Sequence, residues 1–394
     1  VTRATSATRV NSAGLIENVG ANIARLDYTN GSCPSILVEP QRTNLLLQSE
    51  IFTNGWTPEG ATISANTTTS PDGNLTADTL TEIAMNDVHR TYRNALATTS
   101  GVNYTSSIFV KKDTIRYVRL VINQGNNSSI WAAAQFDLDT KTFTSGVGSG
   151  GGTFVGATIT PFSNGWFRIS LTGSIPGTTV FSFIALSNGS AILNTNSRGC
   201  NVYMGTPSNK LIVWGAQLEL GSNATSHIPT TTATVTRNAD VISKTGISSL
   251  IGQTEGTLFV DFNYTKTTDV YRRVFAISNN TSNNLISINL NQTGLLEVYV
   301  INGGVTQVAF PSNILTANTR YKIAVGYIAN NVVLYINGTL RNTDLTCTIP
   351  TCSGVYLGKV ETAGSTAFLN DSINSAMLFK TRLINSQLAT LTTP

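Results

Sequence analysis

The chain has 394 residues, 12% charged and 41% hydrophobic, which excludes a disordered polar tail and leaves enough apolar material for sizeable cores. Lys and Arg number 25 against 21 Asp and Glu, and the resulting +4 is close to neutral at this length, so a nucleic-acid-binding surface is not expected. No stretch reaches the roughly 18 apolar residues of a membrane-spanning segment, so no membrane insertion is expected either.

The chain opens on Val1 rather than Met, which fits a processed or truncated start. Residues 1–53 read as an extended arm with one or two strands, ending in the aliphatic run Leu45-Leu46-Leu47. Such an arm cannot bury enough surface alone and is expected to attach to another chain. From residue 104 the pattern is two-fold: Tyr104, Ser106, Ile108 and Val110 alternate with Thr105, Ser107, Phe109 and Lys111. Tyr117, Arg119 and Val121 then alternate with Val118, Leu120 and Ile122. Further strands are predicted over 131–143, 166–171, 180–186 and 211–220, with turn signals at Asn126-Asn127, Ser163-Asn164-Gly165 and Asn188-Gly189. Short strands at this spacing predict a jelly roll over 54–222. The glycine-rich run 146–152 lacks the Lys-Ser/Thr and the helix of a phosphate loop and is predicted to be a flexible hairpin tip.

Residues 223–255 have no long apolar run and read as a linker. A second strand series follows at 258–264, 273–277, 285–290, 296–300, 321–328, 332–338, 355–359 and 366–379, giving a sandwich over 256–394. Ala329-Asn330-Asn331 between two alternating runs signals a tight hairpin, and a short helix is expected near 384–391. The predicted fold class is all-β: two β-sandwich (jelly-roll) domains in tandem with an N-terminal extended arm.

Titratable chemistry is sparse. His89 and His227 stand in no metal or catalytic motif, and no Gly-x-Ser-x-Gly elbow occurs. Cys33, Cys200, Cys347 and Cys352 are too few for a disulfide scaffold; Cys347 and Cys352 either bridge a short loop or stay free thiols. Asp137 and Asp139 form a period-two acidic pair on one strand face, the spacing a glycosidase or a metal would use, or that a strand-to-turn cap produces.

Three local patterns carry a resemblance. The first is Ala7-Thr8-Arg9-Val10-Asn11-Ser12-Ala13-Gly14-Leu15-Ile16-Glu17, continued by Pro34-Ser35-Ile36-Leu37-Val38-Glu39-Pro40-Gln41-Arg42-Thr43-Asn44-Leu45-Leu46. The second is Trp214-Gly215-Ala216-Gln217-Leu218-Glu219 with Ser226-His227-Ile228-Pro229-Thr230 and Val235-Thr236-Arg237. The third is Asn164-Gly165-Trp166-Phe167-Arg168-Ile169-Ser170 after Phe136-Asp137-Leu138-Asp139. Together they resemble tailed-bacteriophage virion structural proteins of the fibre or appendage type, with a carbohydrate-binding-module-like jelly roll. Leu334-Tyr335-Ile336-Asn337-Gly338 and Leu369-Asn370-Asp371-Ser372-Ile373 resemble a laminin-G or concanavalin-A-like sandwich.

The resemblance implies a virion-exposed fibre or decoration protein. It would be a homo-oligomer, commonly a trimer in that family, held to other virion proteins through its arm and adhering to cell-surface glycans. The alternative is a purely structural assembly protein. Concanavalin-class glucanases carry a Glu-x-Asp-x-x-Glu strand that is missing here, so no enzyme is expected. Calcium is the one cofactor to consider, with Asp371 at the acidic position of the laminin-G closing motif and Asp137 and Asp139 as further ligands; a structural role for Asp371 is the alternative. A glycan site needs aromatic faces and polar hydrogen-bonding groups. Trp56, Trp166 and Trp214 read as core, whereas Trp131 follows the polar loop 123–129 and is expected to be exposed. The predicted glycan site is therefore Tyr117, Arg119, Asn126 and Trp131, against the alternative that this group is core or interface.

Overall fold

The computed structural model describes residues 1–29, 31–192, 198–265, 271–359 and 368–394. The fold is all-β, and two compact units divide the chain discontinuously. One comprises Ala7–Asn18 and Arg42–Arg237; the other comprises Val1–Ser6, Val19–Gln41 and Asn238–Pro394.

The first unit is a jelly-roll sandwich of two six-stranded antiparallel sheets. One sheet runs Thr142–Ser149, Trp131–Asp137, Tyr117–Gln124, Thr179–Ser187, Arg90–Ala97, Thr57–Glu59. The other runs Thr153–Pro161, Trp166–Ser174, Asn103–Lys112, Lys210–Leu220, Ala77–Glu82, Ala61–Thr68. Strand alternation sends Val118, Leu120, Ile122, Phe136, Ile184 and Leu186 inward onto Ile108, Val110, Ile169 and Leu171 of the facing sheet. Each buried aliphatic side chain in such a layer stabilises by about 1.5–3 kcal/mol.

The predicted strand over 131–143 is two strands, because the chain turns at Asp137. The Asp137 carboxylate accepts the backbone N–H of Asp139 (2.9 Å) and Thr140 (3.2 Å), and Lys141 takes a left-handed conformation. The glycine-rich run supplies the end of the next strand and the turn at 150–152.

The resembling motifs lie mostly in buried polar networks. Arg42–Asn44 pairs with Val235–Arg237, and the Asn44 amide donates to the carbonyls of Ala216 (3.1 Å) and Ile228 (2.9 Å). Gln217 Oε1 accepts from Ile228 N–H at 2.8 Å, and Glu219 accepts from Thr225 N–H and Oγ1. These bonds hold residues 42–53 and 225–237 against the strand Lys210–Leu220, so this part of the expected arm and linker belongs to the sandwich.

The second unit pairs a six-stranded with a seven-stranded sheet. The seven-stranded sheet runs Thr339–Asp344, Val332–Ile336, Thr319–Ile328, Glu255–Tyr264, Asp371–Phe379, Ser35–Val38, Leu26–Asp27. Two strands from the expected arm thus complete a sheet built otherwise from the C-terminal part. The reason is electrostatic as well as apolar. Arg3 donates to Asp240 at 2.8 Å, and Arg25 pairs with both Glu39 (2.8 Å) and Asp240; all four side chains are buried. The hairpin at Ala329-Asn330-Asn331 forms with Asn330 at φ +59°, and the helix Asn385–Thr392 seats Leu388 on Phe259, Ala324, Val333 and Tyr335. Of the strand expected over 366–379, residues 366 and 367 lie outside the described residues and the strand is Asp371–Phe379. Cys347 and Cys352 are buried free thiols, and burial raises both above the ordinary thiol value. Among the described residues no helix is long and apolar enough to cross a membrane.

Candidate functional site

The outer face of the sheet holding Tyr117–Gln124 is where most of the predicted glycan residues fall. Register sets Tyr117 opposite Asp137 and Ser187, Arg119 opposite Gln135 and Ala185, and Asn123 opposite Trp131 and Phe181. Tyr117, Arg119 and Trp131 therefore share one face, as a period of two requires. That face is covered where Arg119 and Trp131 lie.

Trp131 has 0% of its surface exposed and packs with Val121, Ala133, Phe183, Ala185, Ile192 and Cys200, which corrects the expectation that it would be exposed. Gly199 lies so close that a Cβ there would fall 3.0 Å from the indole. The polar loop before Trp131 does not open the residue to solvent because residues 188–192 and 198–203 cross over it. Arg119 is equally buried and donates to Gln135 Oε1 (2.8 Å), the Gly199 carbonyl (3.2 Å) and the Ser190 carbonyl; burial holds its pKa down to about 10. Tyr117 is half-buried beneath the Arg116 guanidinium, 4.9 Å from its ring centre. Arg119 and Trp131 thus belong to a covered layer, and of the four only Asn126 is exposed.

Asn126 lines a groove of about 420 Å³ together with Gln124, Gly177, Thr178, Thr179 and Phe181. Gln124 Nε2 donates to Asn126 Oδ1 at 2.9 Å, while Gln124 Oε1 is buried with no hydrogen-bond partner. The groove depends on glycine: a Cβ at Gly125 would stand 3.0 Å from the Phe181 ring, and one at Gly177 would stand 2.8 Å from the Gln124 amide carbon. Phe181 stacks on Tyr92 with ring centres 5.9 Å apart and planes at 14°, and the Arg198 guanidinium lies 5.1 Å from the Phe181 ring centre. Both rings are half-buried. Aromatic surface beside carboxamides, hydroxyls and an arginine can stack on a sugar ring and bond its hydroxyls.

Sequence reasoning missed Phe181, Tyr92, Gln124 and Arg198. A signal existed for the first: Phe181 and Phe183 alternate with Val180, Ser182 and Ile184, so two aromatics sit on the face opposite the core set. Arg198 carries no such signal, since only the returning chain brings it to Phe181.

Asp137 and Asp139 meet on a shared cation, Arg116, and Asp371 belongs to the other unit. Asp137 is gripped by Arg116 at 2.7–3.1 Å, which holds its carboxyl well below the usual range, and Asp139 pairs with Lys112 and Arg116. Each carboxylate already has a cation. Asp371 accepts from Thr265 Oγ1 at 2.6 Å and Thr265 N–H and is buried, and burial pushes it up to about 7. Among the described residues no three His, Cys, Asp or Glu side chains form a metal-holding group. These residues do not fit calcium.

No protein-family model matches the chain, and no curated protein does. Solved structures do. The CBM40 module of a Ruminococcus gnavus IT-sialidase, also solved with α2,3-sialyllactose, is 15% identical over 39% of this chain and 97% of that one, with a TM-score of 0.33. Domains LG4-5 of mouse laminin α1 are 12% identical over 75% and 86%, TM-score 0.25. Sheep galectin-11 is 6% identical over 35% and 94%, TM-score 0.24. At these identities the likeness is one of β-sandwich fold.

Proposed function

We propose that this protein is a non-enzymatic glycan-binding protein whose site is the groove at Phe181 on the jelly-roll sheet. The observation that carries the reading is the groove itself: an aromatic ring on a polar, glycine-shaped depression lined by amides and hydroxyls. A hydroxyl-rich ligand would cover the ring and bond the exposed Asn126 amide. The motifs resembling tailed-phage appendage proteins support a role on the virion surface, as a homo-oligomer adhering to host or environmental glycans.

A second reading, a purely structural virion protein, is favoured by one observation. The motif residues Asn44, Gln217, Glu219 and Glu39 are buried in cross-linking networks and present nothing to a ligand.

The two readings separate on an immobilised glycan panel probed with the purified chain and with Phe181→Ala. Adhesion predicts saturable binding that Phe181→Ala weakens by about tenfold or more, the loss of one stacking aromatic. Silence across the panel from a folded, oligomeric protein would leave the structural reading standing.

A further inference from the structure

Among the described residues, Arg198 is a cation without a counter-ion, beside the groove. One of its N–H groups is committed to Asn123 Oδ1, on the residue opposite Phe181, and its guanidinium lies 5.1 Å from the Phe181 ring centre. Among the described residues it makes no ion pair. Other arginines of this sheet differ: Arg90, over the Phe183 ring, pairs with Glu59 at 2.6 Å, and Arg116 pairs with Asp137 at 2.7 Å. Among the described residues the fully buried Arg119 meets no carboxylate and spends its donors on two carbonyls and an amide oxygen. Arg198 is half-buried and has spare donors.

Its backbone adds a second observation. Arg198 sits at φ +58°, a left-handed conformation that costs a non-glycine residue of order 1 kcal/mol and persists where the surroundings impose it. The strained residue is the one whose side chain returns to the aromatic pair.

We propose that the glycan bound at Phe181 carries an anionic group, and that Arg198 is the residue that reads it. The inference rests on the glycan-binding reading above. A guanidinium with one edge anchored to Asn123 can offer the other to a carboxylate or sulfate as a charge-assisted pair of hydrogen bonds. The Phe181 ring positions the sugar, and the cation selects its charge. Desolvation makes that selection strong, because a partly buried cation gains more from an anion than a fully hydrated one does.

The test is a panel in which every uronic-acid or sulfated oligosaccharide is matched by its carboxyl-reduced or desulfated form, probed at low salt. The wild-type chain is expected to bind acidic members about tenfold or more tightly than their neutral partners. Arg198→Gln should erase that ratio, Arg198→Lys should keep part of it, and Phe181→Ala should weaken acidic and neutral members alike. Loss with carboxyl reduction but not desulfation names a carboxylate; the converse names a sulfate. Equal binding of matched pairs, or an unchanged ratio in a folded Arg198→Gln, overturns the anionic assignment and leaves glycan binding standing. No binding to any member overturns both.

Discussion

Arg119 Nε donates to Gln135 Oε1 at 2.8 Å across two neighbouring strands whose register sets the residues directly opposite one another. Ser187 Oγ donates to the same oxygen at 2.9 Å, and the carbonyls of Gly199 and Ser190 close over the guanidinium. The centre of the outer face is thereby a finished internal layer, and the ligand-accessible part of that face lies toward Phe181.

Trp131 and Arg119 are therefore expected to report on stability. Trp131→Ala should cost the jelly-roll unit about 3–5 kcal/mol by leaving a cavity, and Arg119→Ala about 3 kcal/mol by stranding buried acceptors. Urea unfolding measures both. A midpoint unchanged in either variant would show that residues 188–192 and 198–203 do not hold this layer closed.

Residues 1–6 and 19–41 should be inseparable from the C-terminal sandwich. Asp240 accepts from Arg3 and Arg25 at once while Glu39 holds Arg25 from the other side, all out of water. Asp240→Asn leaves two buried guanidinium groups short of a counter-charge and should destabilise this unit by about 3–5 kcal/mol. Limited proteolysis should then cut within residues 1–6 or 19–41, where the wild-type chain is expected to resist. Equal resistance in both would show that strand pairing alone secures the segment.

His227 gives the jelly-roll unit an acid limit. Its Nε2 lies 2.9 Å from Glu50 Oε1, and since a carboxylate only accepts, Nε2 carries the proton and Nδ1 is left without a partner. Burial lowers its pKa below the ordinary 6.5, more than Glu50 raises it. The unfolded chain then binds the proton more readily than the folded one, so the stabilisation is present above pH 6.5 and is lost as pH falls below it. Thermal unfolding between pH 8 and pH 5 should show a decline that His227→Gln flattens. The same slope in wild type and variant would assign the decline to other groups.

The two-fold alternation of residues 104–122 was enough to identify strands, and it also put Tyr117, Arg119 and Trp131 on one face, because side-chain direction follows from the pleat alone. The hairpin at Asn330 and the terminal helix were legible for similarly local reasons, a residue that tolerates positive φ and a short run of helix formers. Exposure was not legible. Trp131 follows a polar loop in sequence, yet its environment is set by Ile192 and Cys200, about sixty to seventy residues later, through contacts that leave no periodic trace.

By itself, then, the sequence determined the all-β class, the two sandwiches and the pairing of faces, since these arise from hydrophobic periodicity and turn chemistry within a few residues. Only the tertiary structure decided that the first 41 residues are strands and ion-pair partners rather than a free arm, that Asp137 and Asp139 are already paired with cations while Asp371 is buried, and that the aromatic lining the groove is Phe181 beside Arg198. Those outcomes depend on which distant segments meet, Asp240 with Arg3 and Arg198 with Phe181, and long-range closure is a property of the packed chain rather than of any local run.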